Sequence, residues 1–256
     1  MHNIKLTLAY DGTDFYGWQI QPERPTIQGL LVDVACKLAQ ERIMVHGAGR
    51  TDAGVHALGQ VCHFKTQSHL TPIEFQRAFN ALLPPTIRVV AAEEVEPDFH
   101  ARRSAMAKTY RYRIYRGRIV PPFVWRYVLH YPYPLNEAAM MEAARLFEGE
   151  HDFTSFAAPS GAEDDDHEHT TVRTILRSEL EHAPEELAYV VRGRSFLRHM
   201  VRKMVGMLMD VGRGRLSPAD VPKVFEMRDR SRSGPTVPPR GLCMESVEYP
   251  EPRRMT

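Results

Sequence analysis

The sequence has few cysteines and no long apolar run. Its three cysteines, Cys36, Cys62 and Cys243, lie far apart and form no Cys-X-X-Cys pair. This argues against a disulfide scaffold and a thiolate zinc site, and it favours a reducing, cytoplasmic location. No stretch of about 18 apolar residues is present, so no membrane-spanning helix is expected. The N-terminal segment alternates in polarity, which is not the pattern of a secretory signal.

The sequence also lacks a strong net charge. Its 33 lysines and arginines face 32 aspartates and glutamates, which leaves a formal charge of +1. That balance excludes a uniformly basic nucleic-acid binder but not a protein with one charged face. Two segments, 99–136 and 187–209, contain no acidic residue. Their basic residues are Arg102, Arg103, Lys108, Arg111, Arg113, Arg116, Arg118, Arg126, Arg192, Arg194, Arg198, Arg202 and Lys203.

Arginine outnumbers lysine in this chain. Its planar guanidinium binds phosphate through two parallel hydrogen bonds and stacks on bases. Aromatic residues are interleaved with the arginines of the first basic segment, namely Tyr110, Tyr112, Tyr115, Phe123, Trp125 and Tyr127. Base stacking combined with phosphate pairing is typical of RNA recognition. The alternative is a strand with a solvated arginine face, so the segment alone favours nucleic acid only modestly.

Hydrophobic periodicity predicts two similar halves. The first half reads as a strand over 3–10, a helix capped by Thr26 up to about 40, strands over 43–46 and 58–65, a capped helix over 72–83 and a strand over 87–95. This β-α-β-β-α-β order is that of ferredoxin-like and RNA-recognition folds. The second half repeats it loosely, with a strand over 109–115, a helix from Asn136 to 147, strands over 172–180 and 187–194, helices over 196–211 and from 217, and a strand over 244–249.

Composition shifts from acidic to basic near residues 99–107. We therefore predict an N-terminal α+β domain at 1–104 and a C-terminal α+β domain at 105–256. The predicted fold class is α+β, with two ferredoxin-like or RRM-like units. They are expected to join edge to edge in an extended, mostly antiparallel sheet with helices on one face. Such a sheet offers a long groove for an RNA stem.

The most unusual segment is the glycine-rich loop at 47–56, GAGRTDAGVH. Its glycines do not follow the spacing of a dinucleotide or phosphate loop, and it links strand to strand, so a nucleotide cofactor is not expected. What remains is Asp52 beside Arg50, a carboxylate that a nearby cation would keep ionised. An ionised carboxylate can act as a nucleophile or general base. An Asp that caps a turn in solvent is an equally good interpretation of the spacing alone.

GAGRTDAGVHA closely resembles the signature loop of the tRNA pseudouridine synthase A family. YDGTDFYGWQIQP, DFHARRSAMAKTYRYRIY, HDFTSFA, FLRHMVRKMVG and GPTVPPRGL resemble the other motifs of that family in order and spacing, so the resemblance covers nearly the whole chain. Two departures add positive charge: Arg103 stands where an aromatic residue often occurs, and Arg198 replaces a more usual Tyr or His.

The resemblance implies the pseudouridine synthase fold and an isomerase. Such an enzyme converts uridine to pseudouridine in the tRNA anticodon stem-loop, at positions 38 to 40, without cofactor or metal. Asp52 would be the essential carboxylate, Tyr110 would stack on the target uracil, and Arg202 would pair with Asp52. The structural alternatives to these roles are a core aromatic residue for Tyr110 and a surface arginine for Arg202. The resemblance also implies a homodimer with one tRNA lying across both subunits.

The target base must leave the helical stack before it can react, at a cost of roughly a few kcal/mol. Arg50 is the candidate that fills the vacated space or clamps the flipped nucleotide. Further candidates for phosphate contact are Arg24, Lys65, Arg102, Arg103, Arg111, Arg113, Arg192, Arg194 and Arg198.

Two other functions compete with isomerisation. The first is a non-catalytic RNA-binding protein, which needs no carboxylate loop and for which the RRM aromatic pattern is missing. The second is a metal-dependent phosphodiesterase built on Asp164–Asp166 with His167 and His169; a mobile acidic loop is the simpler interpretation of that run. We expect His56 and His63 to be structural hydrogen-bond partners, Phe15 and Trp18 to cover the core, and the methionines near 200–209 to pack a core or an interface.

Overall fold

The computed structural model describes residues 1–158 and 170–251, which divide into two compact units. The first unit is Met1–Lys108 together with Cys243–Thr256, and the second is Thr109–Leu242. The sequence places the division at 104/105 and assigns 243–256 to the second domain. Among the described residues, no helix has both the length and the hydropathy needed to cross a membrane.

The first unit has the predicted β-α-β-β-α-β order. Its elements are β1 (His2–Tyr10), α1 (Ile27–Ala39), β2 (His46–Gly47), β3 (His56–Thr66), α2 (Pro72–Leu82) and β4 (Ile87–Val95). β1 pairs antiparallel with both β3 and β4, and β2 pairs antiparallel with β3. The local signals for the helices are confirmed. The Thr26 hydroxyl accepts from the Gly29 amide, and Thr71 and Glu74 form a capping box.

The core of the first unit lies where helix α2 meets the sheet. Phe64 of β3 packs against Phe75 and Phe79 of α2, with ring centroids 5.3 and 6.1 Å apart, and all three rings are fully buried. Burying such side chains supplies much of the driving force for folding. Phe15 and Trp18 are buried as well, which confirms that they cover the core.

The second unit follows a similar order. Its elements are β5 (Ala107–Tyr115, whose first two residues belong to the first unit), β6 (Leu129–His130), α3 (Glu137–Arg145), β7 (Gly149–Asp152), β8 (Val172–Ala183), β9 (Glu186–Gly193), α4 (Met200–Gly212) and α5 (Asp220–Met227). β8 pairs antiparallel with both β7 and β9, and β6 pairs parallel with β5. Across the described residues, the mixed class with mostly antiparallel pairing and five α-helices is confirmed.

The final strand, β10 (Leu242–Glu248), pairs parallel with β3 of the first unit, with Cys243 opposite His56. This pairing explains why the first unit takes up the C-terminal segment. Strand pairing depends on contacts between distant parts of the chain, and the sequence of a strand does not identify its neighbour.

Two predicted elements are wrong in extent. The strand predicted over 43–46 is reduced to His46–Gly47, because the Ile43 amide donates to the Cys36 sulfur, 3.2 Å away, instead of joining a ladder. The helix predicted from 196 begins at Met200, because His199 adopts φ 63°, which is outside the helical region. Met200, Met204, Met207 and Met209 are fully buried, so the methionine stripe is core packing.

Candidate active site

Asp52 lies on a tight turn between β2 and β3 that a second loop braces. The Asp52 carbonyl accepts from the Val55 amide at 3.1 Å, which closes the turn. The neighbouring loop adds two main-chain bonds: the Trp18 amide donates to the Thr51 carbonyl at 3.0 Å, and the Gly54 amide donates to the Phe15 carbonyl at 3.2 Å. The half-buried Asp52 is therefore held by backbone bonds on both sides.

Two glycines allow these loops to approach so closely. A Cβ on Gly12 would lie 1.9 Å from the Val55 carbonyl oxygen, and a Cβ on Gly17 would lie 2.5 Å from the Thr51 carbonyl oxygen. Gly17 also has φ +84°, which side-chain-bearing residues rarely adopt. The YDGTDFYGW segment therefore acts as the brace of the Asp52 turn. Sequence reasoning missed this role, because a glycine's close contact is visible only once both loops are placed.

Buried polar side chains complete the support. The Tyr10 hydroxyl and the Thr51 Oγ1 are 2.9 Å apart, and the Gln60 amide donates to the Gly49 carbonyl at 2.9 Å. The Gly12 amide donates to His56 Nδ1 at 3.1 Å, and this ring lies 3.1 Å from an Asp11 carboxylate oxygen. The structural role expected of His56 is confirmed. Burial raises the pKa of Tyr10, so its hydroxyl stays protonated as a hydrogen-bond partner.

Tyr110 lies on β5 in the second unit. Its ring is buried and packs edge-on against Phe196, with centroids 5.0 Å apart. An edge-to-face contact of this kind fixes the plane of a tyrosine ring. The burial of Tyr110 fits the interpretation of a core aromatic residue. The contact with Phe196 also fits a role in stacking on the uracil, because it fixes the plane of the ring.

Arg202 lies on the first turn of α4, and its side chain is anchored. Its Nε donates to the Val237 carbonyl at 2.8 Å, and the Tyr112 hydroxyl of β5 donates to the adjacent Pro238 carbonyl at 2.9 Å. The segment 237–238 therefore ties α4 to β5. Burial raises the pKa of Tyr112, and the positive charges of Arg202 and Arg240 oppose that rise. Sequence reasoning missed the anchoring role of the GPTVPPRGL segment.

Gly206 allows this anchor to form. A Cβ on Gly206 would lie 1.8 Å from the Pro235 carbonyl oxygen, so helix α4 and the 235–237 segment touch through backbone atoms. The sequence does carry one signal of this contact, a glycine inside an otherwise regular helical pattern. Such a glycine lowers helix stability, so its presence indicates a packing requirement.

We expect Gly206→Ala to lower both stability and turnover. An alanine would gain ~1 kcal/mol of helix propensity. The clash with a backbone oxygen, however, requires a shift of more than an ångström and should cost about 2 to 3 kcal/mol net. Because that shift moves Val237 relative to Arg202, turnover should fall about 100-fold. Thermal unfolding and a steady-state assay measure the two effects.

Gly212→Ala is the matched control on the same helix. There a Cβ meets only side-chain atoms, the Met140 sulfur at 2.4 Å and the Leu135 Cδ2 at 2.9 Å, and flexible side chains yield more easily than backbone. Its turnover should stay near that of the parent. Equal effects of the two substitutions would contradict the special role of Gly206.

Most of the residues predicted to contact phosphate have exposed side chains. They are Arg24, Arg50, Lys65, Arg102, Arg103, Arg194 and Arg198, while Arg192 is half-buried. The Arg24 guanidinium lies 4.2 Å from the centroid of the Tyr16 ring, which is a cation–π contact. Their contact with RNA stays a prediction.

Two arginines of the basic strand are neutralised within the second unit. Arg111 pairs with Glu181 at 2.8 Å, and Arg113 donates to both carboxylate oxygens of Glu186 at 2.7 Å. This corrects the interpretation that acids and bases are segregated, because the β8–β9 hairpin carries its glutamates to β5. A phosphate contact by Arg111 would have to compete with Glu181.

The proposed catalytic residues are distributed over both units. Asp52 lies in the first unit, while Tyr110 and Arg202 lie in the second. The Asp52–Arg202 ion pair stays a prediction. Within residues 1–158 and 170–251, no group of three or more His, Cys, Asp or Glu could hold a metal ion. The Asp164–Asp166 run with His167 and His169 lies outside the described residues.

His63 is a structural partner, as expected. The Ala101 amide donates to its Nδ1 at 3.2 Å, and only 3% of the residue is exposed. Burial, together with the smaller effects of the neighbouring His100, His46 and Lys65, lowers the pKa of His63 to about 4. The pKa values of His46 and His100 are lowered as well, chiefly by burial and by Arg103.

We expect the free energy of unfolding to fall as the pH drops from about 6.5 to 4. The unfolded chain takes up a proton on His63 near pH 6.5, whereas the folded chain resists it until about pH 4. The contribution is therefore fully present above the unfolded pKa and lost across that window, by about 3 kcal/mol in total. Urea titrations at several pH values measure the slope.

His63→Asn is the informative variant, because the Asn carbonyl oxygen can accept from the Ala101 amide without titrating. Its stability should depend less on pH between 5 and 6.5 than that of the parent, while the exposed His69→Asn should leave the slope unchanged. A His63→Asn slope equal to that of the parent would mean that another group causes the acid sensitivity.

The chain matches a known family over most of its length. Residues 7–102 and 143–250 match the family model described as tRNA pseudouridine synthase. The chain therefore belongs to the tRNA pseudouridine synthase family and is an isomerase. The matched residues include Asp52 and Arg202, whereas Tyr110 lies between the two matched ranges.

Full-length relatives give a more specific comparison. A protein named tRNA pseudouridine synthase A from Solibacter usitatus (strain Ellin6076) is 50% identical over 97% of this chain and 100% of its own. Proteins of the same name are 42% identical in Caldicellulosiruptor saccharolyticus, over 97% of this chain and 100% of theirs, and 44% identical in Geobacillus sp. (strain WCH70), over 96% and 98%. These alignments span both units, Tyr110 included.

Proposed function

We propose that this protein converts uridine to pseudouridine in the anticodon stem-loop of tRNA, at positions 38 to 40. The observation that carries the proposal is the family match over 7–102, which contains the braced Asp52 turn. A carboxylate on a braced backbone turn suits the requirement that a catalytic group be held in its reactive geometry.

The reaction breaks the N1–C1′ glycosidic bond, turns the base and joins C5 to C1′. The proton originally on C5 leaves to solvent, and N1 gains one, so atoms balance without oxidation or hydrolysis. Asp52 acts at C1′, on the base, or by removing a ribose proton, as an ionised carboxylate can. No step requires a metal or a redox cofactor.

Three further residues have proposed roles. Tyr110 stacks on the target uracil, and its hydroxyl moves a proton. Arg202, anchored through Val237, pairs with Asp52 and keeps it ionised. Arg50 fills the space that the flipped nucleotide leaves. Base flipping is required because the reacting atoms are inaccessible in a stacked stem.

We also propose a cytoplasmic homodimer that binds one tRNA across both subunits. The free thiols of Cys36, Cys62 and Cys243 support a reducing compartment. The dimer rests on the family resemblance, and sedimentation of the protein with and without tRNA tests it.

The function is tested by tritium release. The protein is incubated with tRNA that carries tritium at uracil C5, in the presence of EDTA, and tritium in water is counted. Release is expected because C5 loses its hydrogen when it bonds to C1′. A metal-dependent phosphodiesterase would be inhibited by EDTA, and an RNA-binding module would release nothing. Absence of release from a complete tRNA pool would refute the proposed function.

A further inference from the structure

A cavity of about 620 Å³ lies in the first unit, beside β2 and β3. Three cations line it, Arg42, Lys65 and Arg103, against one carboxylate, that of Asp98. All four residues are exposed. Within the part of the chain that the structure describes, Arg42, Lys65 and Arg103 form no ion pair. The cavity therefore has an excess of positive charge, which favours an anionic ligand.

The same cavity has an aromatic wall. The His46 ring stacks on His63 with centroids 5.2 Å apart and planes 27° apart, and His100 lies 4.7 Å from His63. His63 is buried and held by the Ala101 amide, while His46 is exposed and Met44 beside it is 69% exposed. The depressed pKa values leave these rings uncharged near pH 7. A neutral ring with an exposed side is a surface on which a nucleobase stacks.

The cluster is not a metal site. In residues 1–158 and 170–251, no histidine group has the arrangement that holds a metal ion. A ligand that uses both the cations and the aromatic wall must combine an anionic group with a flat ring. A nucleotide of a nucleic-acid strand has both.

We propose that this cavity is an accessory RNA-binding site that holds one nucleotide of the tRNA outside the isomerised segment. Its phosphate lies on Arg42, Lys65 and Arg103, and its base stacks on His46. Asp52 follows His46 by six positions in the chain, so the two lie within ~20 Å of each other. That is about six base-pair steps, so one RNA molecule can occupy both places. The identity of the RNA as tRNA rests on the proposed function.

The test compares two double variants of the full-length protein. Arg42→Gln with His46→Ala removes one cation and the stacking ring, both exposed. Arg77→Gln with His69→Ala is the matched control, with both residues exposed in the same unit. Dissociation constants for labelled tRNA are measured at several salt concentrations, and steady-state tritium release gives kcat and KM. Thermal unfolding shows whether each variant is folded.

The cavity variant should bind tRNA about tenfold more weakly, from the lost stacking and phosphate contact. Its affinity should depend less on salt, with a log–log slope smaller by about 0.7 to 0.9 for the lost contact. KM should rise while kcat stays within about twofold, because the lost interaction does not involve the reacting atoms. The control variant should match the parent in all three.

Unchanged affinity and salt slope in the cavity variant would overturn the proposal. The dissociation constant of free UMP is measured for the same variants. A loss of affinity for UMP without a loss for tRNA would also overturn the proposal, because the occupant would then be a mononucleotide. Failure of the proposed function looks different: the unmodified protein would then release no tritium. A tenfold loss of RNA affinity in the cavity variant would still support the accessory site in that case.

Discussion

Asp52→Asn is expected to lower the rate of tritium release by about 10⁴-fold, while the affinity for tRNA stays within about twofold. Losses of this size accompany removal of a group that reacts directly with substrate. Asn has nearly the shape of Asp but neither its charge nor its basicity. The turn should survive, because its bonds to Val55, Phe15 and Trp18 are made by backbone atoms. Single-turnover release and fluorescence anisotropy measure the two quantities.

The matched control is Asp33→Asn on the exposed side of α1. It makes the same change of charge in the same unit and should release tritium at the parent rate. Full activity in Asp52→Asn would remove the carboxylate from the mechanism. An equal loss in both variants would point to a general effect of charge rather than to chemistry at Asp52.

The fold was predictable wherever an element carries its own signal. Thr26 and the Thr71–Glu74 capping box mark two helix starts, and both occur as predicted. The sequence did not predict the structure where a contact between distant residues determines the extent or the partner of a strand. The Ile43 amide donates to the Cys36 sulfur instead of joining a strand, and Cys243 of β10 pairs with His56 of β3, 187 positions earlier (243 − 56). No local pattern encodes either choice.

The sequence identifies candidate site residues by resemblance, and their roles stay predictions, but it does not identify the contacts that support them. Asp52 and Arg202 follow from resemblance to known motifs. The contacts that position these residues become visible only in the packed structure. The Val55 carbonyl oxygen occupies the space of a Cβ at Gly12, and the Pro235 carbonyl oxygen occupies that space at Gly206. A glycine in a sequence indicates that a side chain is not tolerated, but it does not say which atom takes the space.

Charge along the chain was a partial guide. Arg111 and Arg113 lie on a strand without acidic residues. They bind Glu181 and Glu186, which follow them in the chain by 70 and 73 positions. The positive charge of this strand is therefore largely neutralised inside the second unit. By contrast, Arg42, Lys65 and Arg103 lie around one cavity with a single carboxylate. Clusters formed by folding, rather than runs in the sequence, are the better guide to anion binding.

Arg202→Met should reduce kcat about 10³-fold and change tRNA affinity by much less. If Arg202 pairs with Asp52, its removal leaves a carboxylate in the site without its counterion, which costs about 3 to 5 kcal/mol for buried pairs. Thermal unfolding and tRNA affinity separate this effect from misfolding, which would lower both.

Two variants make the interpretation specific. Arg202→Lys keeps the charge and can still donate to the Val237 carbonyl, so it should recover part of the lost rate. Arg215→Met removes an exposed arginine that follows the same helix and should behave like the parent. An unchanged rate in Arg202→Met would contradict the ion pair. A loss that Arg202→Lys does not recover would reduce Arg202 to an anchor between α4 and the 237–238 segment.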